Sequence, residues 1–274
     1  MPLGSSRIGI VGGTGITQLP DFCVEREEYP LTPYGHPSGP IVIGVCAGTP
    51  VAFIERHGKN HTIPPHRVPY KANLAALKTL GVRQVLATCV VGSLKQELAP
   101  GTFVVPNQFI DLTWGRDDTS SVDQRLLHLP MAEPYCRALS QSAVSALRVE
   151  HVPVHETGTV VVIQGPRFST AAEGRMYALW GGDIVNMTQY PECYFARELG
   201  LCYAVIASIT DYNAGISEDL SMVSMGTPEF DRILTVFRRN TDLTYQALLR
   251  FLHSRHSFER CCCAEIQTRP YYES

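Results

Sequence analysis

The stretch TVVVIQGPRFST, residues 159–170, decides how this chain is expected to fold. Its first five residues are β-branched and predict a buried strand, and Gly165-Pro166 then marks a turn. The residues from Ala171 to Glu173 predict the start of a helix. A strand that runs into a helix through a polar turn is where α/β proteins bind ligands.

Two later segments repeat this plan of a short apolar strand that ends in polar residues. Residues 183–188 end in Asn186-Met187-Thr188, and residues 203–209 run into Thr210-Asp211. If the three strands lie side by side and parallel, their polar ends open into one crevice. The pocket expected there is formed by Ser169, Met187, Thr188 and Asp211.

Helical and strand-like patterns alternate along the rest of the chain. Helices are predicted over residues 70–80, 134–147, 192–199 and 228–252, and further strands near 7–11, 41–45, 51–54, 82–91 and 101–106. The run 82–91 is almost continuously apolar, which is typical of a strand buried on both faces. The pattern predicts an α/β fold, a single domain with a central, mainly parallel mixed sheet flanked by helices. We place this domain at residues 1–253 and a cysteine-containing tail at 254–274.

Composition excludes several classes of function. The 274 residues are 45% apolar and 18% charged, which is ordinary for a globular protein with a sizeable core. A net charge of -3 and a pI near 6.3 give no electrostatic footprint for nucleic acid or an anionic membrane. No apolar run reaches the roughly 18 residues that span a bilayer, and no signal-peptide segment precedes Arg7. We therefore expect a cytoplasmic protein.

The nine cysteines fall into two groups. Most lie in apolar contexts that favour reduced, buried thiols, as do Cys46, Cys89, Cys193 and Cys202. The run Cys261-Cys262-Cys263 differs, and His253 and His256 precede it. Because this run lacks Cys-x-x-Cys spacing, we expect a reduced tail without a metal site, with metal binding as the alternative that His253 and His256 leave open, and we expect no cofactor.

Two polar segments that follow strands are suited to an anion. Gly12-Gly13-Thr14-Gly15 can bring backbone N–H groups close to a phosphate because glycine has no Cβ. It lacks the Gly-Lys-Ser/Thr of a P-loop, so a plain tight turn is the alternative. In the segment at residues 55–61, Arg56 offers a fork of donors and His57 a donor or proton carrier. A solvated loop is the alternative there.

Several motifs, in order and up to about residue 250, resemble those of the methylthioadenosine phosphorylases, trimeric members of the purine nucleoside phosphorylase family. They are Gly12-Gly13-Thr14-Gly15, Arg56-His57-Gly58, Gly92-Ser93-Leu94, Met131-Ala132-Glu133-Pro134, Gly165-Pro166-Arg167-Phe168-Ser169, Asn186-Met187-Thr188 and Thr210-Asp211. The resemblance implies the nucleoside phosphorylase fold and phosphorolysis, in which the co-substrate phosphate attacks C1′ of a 5′-methylthio nucleoside and releases the purine. It also implies a homotrimer with active sites at subunit interfaces, and a role in purine and methionine salvage.

The resemblance further implies a phosphate site. The matching positions are Thr14, Arg56, His57, Cys89, Val90 and Thr188. Cys89 and Val90 fall where the family typically has Thr-Ala, so a side-chain hydroxyl is missing there. Backbone N–H groups are expected to serve instead.

A nucleoside site is implied by four other residues. Met187 matches the family residue that contacts the ribose, and Phe168 matches the aromatic residue beside the base. An apolar, water-poor surface suits the oxocarbenium-like sugar, because it lets phosphate rather than water attack. Ordinary core packing is the alternative for both. At the 5′ end, Met225 matches a residue at the methylthio group, and His128 matches one that reaches in from the neighbouring subunit.

Asp211 is the residue expected to carry acid catalysis, by donating a proton or hydrogen bond to purine N7 as negative charge builds there. This role requires a raised pKa, which burial at a strand end supplies; a turn cap is the alternative. Ser169 and Asp211 stand where enzymes for 6-oxopurines have Glu and Asn, which favours adenine. Asn213 stands where adenine-specific enzymes carry a second Asp, and an amide accepts from an amine or donates to a carbonyl.

Three alternative functions remain open at this point. A methylthioinosine phosphorylase or a broader purine nucleoside phosphorylase is the nearest of them. A nucleoside hydrolase would release the base without phosphate. A purine-binding protein without turnover is the third, suggested by Cys89, Asn213 and the cysteine-rich tail.

Overall fold

An eleven-stranded mixed sheet forms the centre of the computed structural model, which describes residues 7–13, 21–118, 128–216, 228–254, 261 and 263–266. The strands are β1 (Arg7–Gly12), β2 (Phe22–Glu28), β3 (Ile41–Cys46), β4 (Thr49–Glu55), β5 (Val82–Ser93), β6 (Phe103–Val104), β7 (Gln108–Leu112), β8 (Val154–His155), β9 (Thr159–Ile163), β10 (Ile184–Asn186) and β11 (Cys202–Tyr212). Their order is β2-β3-β4-β1-β5-β10-β9-β7, while β11 runs beside β5 and joins β6, which pairs with β8. Among these described strands six pairings are parallel and four antiparallel, so the prediction of a mainly parallel mixed sheet is confirmed.

Helices cover both faces of this sheet. They are α1 (Tyr70–Thr79), α2 (Arg137–Val149), α3 (Ala171–Leu179), α4 (Gln189–Glu198), α5 (Pro228–His253) and the short α6 (Cys263–Ile266). Alternate residues of β11 belong to different apolar clusters, because successive side chains of a strand point to opposite faces. Tyr203 and Val205 pack with α1 and α4, whereas Ala204 and Ile206 pack with α2 and α5.

Helix ends agree with the sequence in some places and not in others. The helix expected at residues 70–80 is confirmed, and Gly81 after it has the positive φ of 84° that favours glycine. The helix expected from residue 134 begins at Arg137 instead, because Cys136 is extended and its N–H donates to the Tyr203 carbonyl at 2.8 Å. The helix expected from residue 192 is assigned from Gln189, whose N–H donates to the Asn186 side chain at 2.8 Å, but Tyr190 is extended with φ -110° and ψ 134°, so the regular helix starts after it, close to the predicted residue.

The predicted arrangement of three adjacent parallel strands is only partly right. β9 and β10 are parallel neighbours, as expected. β11 does not pair with β10, because the end of β5 lies between them. β10 runs antiparallel to β5, whereas β11 runs parallel to it. Gly92 permits this crowding, since a Cβ there would lie 3.1 Å from Val185 and 3.6 Å from Asn213.

The described helices include none that is long and apolar enough to cross a membrane. The longest of them, α5, is amphipathic: Ala247, Leu248 and Phe251 are fully buried, while Arg238 and Arg239 are exposed. Its apolar side packs against α2 and the sheet.

Candidate active site

Arg56, the first residue after β4, forms an ion pair that the sequence did not indicate. Its Nε and Nη2 donate to the two carboxylate oxygens of Glu192 at 2.7 and 2.8 Å, and its Nη1 donates to the Thr88 carbonyl at 2.9 Å. Tyr203 donates its hydroxyl hydrogen to the same carboxylate at 2.7 Å. A guanidinium has five N–H groups, so these three bonds leave one N–H on each terminal nitrogen for an anion.

The ion pair sets the electrostatics of this side of the crevice. Arg56 is 3% exposed and Glu192 is 1% exposed. Burial alone would lower the pKa of Arg56, but the Glu192 carboxylate outweighs it and raises that pKa above its ordinary value. Because the pair is neutral overall, an anion here meets directed N–H groups rather than an excess of positive charge.

His57 is held as a neutral imidazole. Its Nδ1 lies 2.8 Å from the Ile63 carbonyl, which can only accept, so Nδ1 carries the hydrogen. Burial lowers the pKa of His57 to about 4, and its ring stacks on His61 at 4.2 Å between centroids. At neutral pH its Nε2 therefore presents a lone pair, so of the two expected roles, donor or proton carrier, this state fits a group that takes up a proton rather than a second donor.

One amide oxygen organises the other phosphate residues predicted from the sequence. Asn186 Oδ1 accepts from the Thr188 N–H, the Thr188 hydroxyl and the Gln189 N–H at 2.7, 3.2 and 2.8 Å. Asn186 Nδ2 donates to the Val90 carbonyl at 3.5 Å, and Gln189 Nε2 donates to Cys89 Sγ at 3.4 Å. These bonds bring Cys89, Val90 and Thr188 together where β5 meets β10.

The thiol of Cys89 stays protonated at neutral pH. Burial raises the pKa of Cys89 to about 11, and the opposing effect of the Arg56 charge is smaller. A neutral thiol is a weak hydrogen-bond donor compared with a hydroxyl. A cysteine at position 89 would therefore form a weaker hydrogen bond to a bound anion than the threonine typical of the resembled family.

Arg116, in the segment after β7, holds two strand ends together. Its guanidinium donates to the carbonyls of Gln164, Met187 and Tyr190 at 2.9, 2.9 and 2.6 Å. The same ends touch at Gly165, whose φ is +58° and where a Cβ would lie 2.5 Å from Met187 Sδ. The turn after β9 thus needs glycine to approach Met187.

A β-bulge in β11 positions Asp211. Ile209 pairs with Val91 and Asp211 pairs with Gly92, so Thr210 is the extra residue. Bulges occur next to active sites because they change the direction of a side chain within a strand. Thr210 Oγ1 donates to Asp211 Oδ1 at 2.6 Å.

The carboxyl group of Asp211 has the electrostatic property that an acid requires. Burial raises its pKa above the ordinary value of 3.8, and the Thr210 hydrogen bond opposes this only in part. A raised pKa keeps more of the carboxyl protonated and able to donate.

Ser169 and Asn213 form a buried pair beside Asp211. Ser169 Oγ donates to Asn213 Oδ1 at 2.8 Å, and each residue is 7% exposed. Asn213 Nδ2 donates to the Ala214 carbonyl at 3.2 Å, and its backbone N–H donates to the Ser93 carbonyl at 2.8 Å. These contacts place the turn after β9 and the end of β11 against each other.

Two residues predicted for the nucleoside lie on the surface of the chain. Phe168 is 81% exposed, and His128 is also exposed. The chain alone therefore does not enclose Phe168 as a wall beside a base. Thr14 and Met225 lie outside the described residues, so their predicted roles stay predictions.

A cavity of about 520 Å³ lies beside this crevice. It is lined by Leu112, Trp114, Ile163, Gln164, Gly165, Arg167, Glu173 and Tyr177. It shares Gln164 and Gly165 with the turn after β9 but does not reach Asp211 or Asn213. We assign the chemistry to the crevice, because the buried polar groups converge there.

Three functional residues were missed from the sequence. Glu192 had no distinct signal, because the helix QYPECYFARE also carries Arg197 and Glu198, and only the fold shows that Glu192 is the buried partner of Arg56. Asn186 belongs to the motif Asn186-Met187-Thr188, but nothing in that motif indicated that the Asn186 side chain accepts hydrogen bonds from Thr188. Arg116 had no signal, because its carbonyl partners are defined only by the fold.

Comparisons with known proteins show that this chain is similar to phosphorylases of two names. The sequence model of the family described as "Phosphorylase superfamily" matches residues 7–253. An S-methyl-5'-thioadenosine phosphorylase of Nitrosopumilus maritimus is 41% identical over 258 residues, which cover 94% of this chain and 95% of that protein. A 6-oxopurine nucleoside phosphorylase of Pyrococcus furiosus is 46% identical over 218 residues, which cover 77% of this chain and 81% of that protein.

A solved structure shows the same relationship. A mutant of the adenosine/methylthioadenosine phosphorylase from Schistosoma mansoni, crystallised in complex with methylthioadenosine, has a TM-score of 0.85 to this chain. The two are 36% identical, and the match covers 96% of each chain.

Proposed function

This chain belongs to the phosphorylase superfamily, and on that premise we propose that it cleaves S-methyl-5'-thioadenosine with phosphate, giving adenine and 5-methylthioribose 1-phosphate. Such an enzyme is a pentosyltransferase. The observation that carries the proposal is the partly buried carboxyl of Asp211 at the bulge of β11, whose pKa is raised by burial and which lies two residues before Asn213 of the buried pair.

Asp211 supports departure of the base. A bond forms between a phosphate oxygen and C1′, the bond between C1′ and N9 breaks, and its electron pair passes to the purine. Protonated Asp211 donates its hydrogen to N7, so the base leaves as a neutral molecule. Met187 lies against Gly165 at the centre of the crevice, where we place the sugar in a water-poor bed.

Phosphate is proposed to bind between Arg56, His57 and Thr188. The neutral ion pair of Arg56 with Glu192 supplies N–H groups without excess charge, so the anion is oriented but remains nucleophilic. Neutral His57 suits a P–OH group, which donates to its Nε2. Thr188 adds its hydroxyl after rotating away from Asn186. Thr14 and backbone N–H groups at Cys89 and Val90 complete the proposed site.

The preference for a 6-amino group rests on the orientation of the Asn213 amide. A flipped amide would place Oδ1 against the Ala214 carbonyl, and two acceptors repel each other. Asn213 Oδ1 therefore stays directed at Ser169, whose hydroxyl hydrogen is used in that bond. The lone pairs of Ser169 Oγ are then left to accept from an amino group, which favours adenine over a 6-oxopurine.

A 6-oxopurine nucleoside phosphorylase is the second candidate. The 46% identity to a relative with that name favours it, and so does the amide at position 213 in place of a carboxylate. Rotation of the Ser169 hydroxyl towards a 6-oxo group would serve this substrate. It would cost the hydrogen bond to Asn213, and we therefore rank it second.

We propose further that the enzyme assembles as a homotrimer with a shared active site. Several large apolar side chains are exposed on the chain, among them Trp114, Phe168, Leu179 and Trp180. A neighbouring subunit that buried such side chains would gain a protein interface. A neighbouring subunit would cover Phe168 and supply His128 and Met225 to the 5′ end of the nucleoside.

We also propose that the reaction serves purine and methionine salvage, because both products, the purine and the methylthioribose 1-phosphate, carry reusable groups. We propose the cytoplasm as its place.

The test is base release from methylthioadenosine, methylthioinosine, adenosine and inosine in parallel, with and without phosphate. We expect phosphate-dependent release of adenine from methylthioadenosine, faster than release from either 6-oxo substrate. Release without phosphate would indicate a nucleoside hydrolase. Hypoxanthine as the only product would support the second candidate, and binding of adenine without any turnover would indicate a purine-binding protein.

A further inference from the structure

Four cysteine sulfurs converge at the end of the sheet away from the crevice. Cys136 precedes α2, Cys202 begins β11, and Cys261 and Cys263 belong to the segment after α5. The four Sγ atoms all lie within 4.8 Å of one another. We call these four residues the cysteine cluster.

The spacing of the sulfurs fits a shared ion. Cys261 Sγ lies 3.2 Å from Cys202 Sγ and 3.4 Å from Cys136 Sγ, and all four residues are free cysteines. Four thiolates bound tetrahedrally to zinc, with Zn–S of about 2.3 Å, lie about 3.8 Å apart. The two short separations are below that value and every other separation is at most 4.8 Å, so changes of about 1 Å or less between sulfurs would give the tetrahedral spacing.

The residues around the cysteine cluster have three features of structural metal sites: a hydrogen bond to a sulfur, a fixed ligand position and buried ligands. The backbone N–H of Cys263 donates to Cys261 Sγ at 3.4 Å, a contact that stabilises a thiolate ligand. The bond from the Cys136 N–H to the Tyr203 carbonyl fixes Cys136 beside the start of β11. Cys136, Cys202 and Cys263 are buried, whereas Cys261 is partly exposed and gives a path for entry.

We propose that Cys136, Cys202, Cys261 and Cys263 bind one Zn²⁺ as thiolates. Binding releases the four thiol protons to solvent and involves no change of oxidation state. Four sulfur ligands leave no open position, so this is a structural site rather than a catalytic one. The ligand set was not predictable from sequence spacing, because the Cys-x-Cys of the tail obtains its other two ligands from residues 136 and 202.

The site would act on stability and not on the chemistry of the crevice. It joins three segments that are far apart in sequence: the start of α2, the start of β11 and the tail. Asp211 lies nine residues after Cys202 on β11, a distance of about 30 Å at the usual rise of a strand. Loss of zinc should therefore lower the melting temperature and leave turnover at moderate temperature unchanged.

The first experiment measures zinc in the full chain. Protein purified with a thiol reductant and zinc, then desalted, is analysed by elemental mass spectrometry and native mass spectrometry. We expect one zinc per chain in the wild type and in the control Cys23→Ser, whose thiol is exposed and outside the cluster. Cys261→Ser, which changes the partly exposed ligand, should lose most of the zinc and should no longer respond to a chelator in thermal unfolding.

A second measurement keeps the proposal testable if a variant fails to fold. Wild-type protein stripped of zinc and loaded with Co²⁺ should show the visible absorption bands of tetrahedral cobalt and the intense near-ultraviolet bands of cobalt thiolate. Less than a tenth of an equivalent of zinc in the wild type, without those bands, would overturn the proposal. A chain mass lower by two hydrogen atoms for each cysteine pair would replace it with disulfides.

Discussion

Ser169 donates its hydroxyl hydrogen to Asn213 Oδ1 across 2.8 Å, at a site where both side chains are 7% exposed. The Ala214 carbonyl, 3.2 Å from Asn213 Nδ2, prevents the amide from flipping. The pair therefore offers acceptor lone pairs to a ligand as long as Ser169 keeps this bond. Discrimination between a 6-amino and a 6-oxo purine thus depends on one hydroxyl rotation.

Asn213→Asp should sharpen that discrimination. A carboxylate only accepts, so one oxygen holds the Ser169 hydroxyl more firmly and repels a 6-oxo group, while the other must turn away from the Ala214 carbonyl. We expect the ratio of kcat/KM for methylthioadenosine to that for methylthioinosine to rise by about tenfold or more, within the range that one polar contact gives. Steady-state kinetics with both substrates measure it. An unchanged ratio would mean that Asn213 does not face the 6-substituent.

Asp211→Asn should lower turnover strongly. The amide cannot transfer a proton to N7, and loss of a general acid typically costs about 10²–10⁴ in rate. In the wild type, kcat should fall as the pH rises through the raised pKa of Asp211, because the protonated form is the donor. The exposed Asp231→Asn serves as a control and should keep wild-type turnover. Wild-type turnover in Asp211→Asn would remove the assigned acid.

The same variant should stabilise the fold at neutral pH. Because the folded pKa of Asp211 is raised above 3.8, folding favours the neutral carboxyl. As the pH rises from the unfolded pKa of 3.8 through the raised folded pKa, the free energy of unfolding therefore falls progressively. The loss is complete at pH values above both pKa values. Asn removes it, so urea unfolding at neutral pH should give Asp211→Asn a higher midpoint than the wild type. A lower midpoint would show that the charged form is stabilised instead.

Local patterns predicted most of the fold, because the buried strands are short apolar runs and the helices have regular spacing. The run at residues 82–91 is an example, since β5 is buried between β1 and β11. The position of β10 was not predictable from local pattern. Its pairing with Gly92 and Ser93 depends on the bend and crowding at the end of β5, which only the assembled sheet defines.

The site residues were predictable in type but not in partnership. Arg56 was correctly placed after a strand, yet its bond to Glu192 spans 136 residues of sequence. The same limit applies to the cysteine cluster, where Cys136 and Cys261 are 125 residues apart. Sequence spacing carries information about neighbours on one element, whereas these pairs are made by tertiary packing.

His57→Gln should reduce the acid sensitivity of the fold. Burial depresses the folded pKa of His57 from 6.5 to about 4, so its contribution to stability is present above 6.5 and is lost as the pH falls towards the folded value. Urea unfolding at about pH 7 and about pH 5 should show a smaller loss for the variant than for the wild type. The exposed His155→Gln is the control and should behave as the wild type. Equal losses in all three proteins would contradict the buried, neutral assignment.

Glu192→Gln should destabilise the protein far more than an equivalent change at the surface. The variant leaves Arg56 charged and buried without a counter-ion, which costs about 3–5 kcal/mol of unfolding free energy. Glu150→Gln removes a partner of Arg250 at the same 2.7 Å, but Arg250 is largely exposed, so solvent screening limits its cost to less than about 1 kcal/mol. Urea unfolding of both variants at neutral pH gives the two costs. Similar losses of unfolding free energy for Glu192→Gln and Glu150→Gln would show that the pair of Arg56 and Glu192 is exposed to solvent. The Arg56 guanidinium would then not be held by Glu192 in the orientation on which the proposed phosphate site depends.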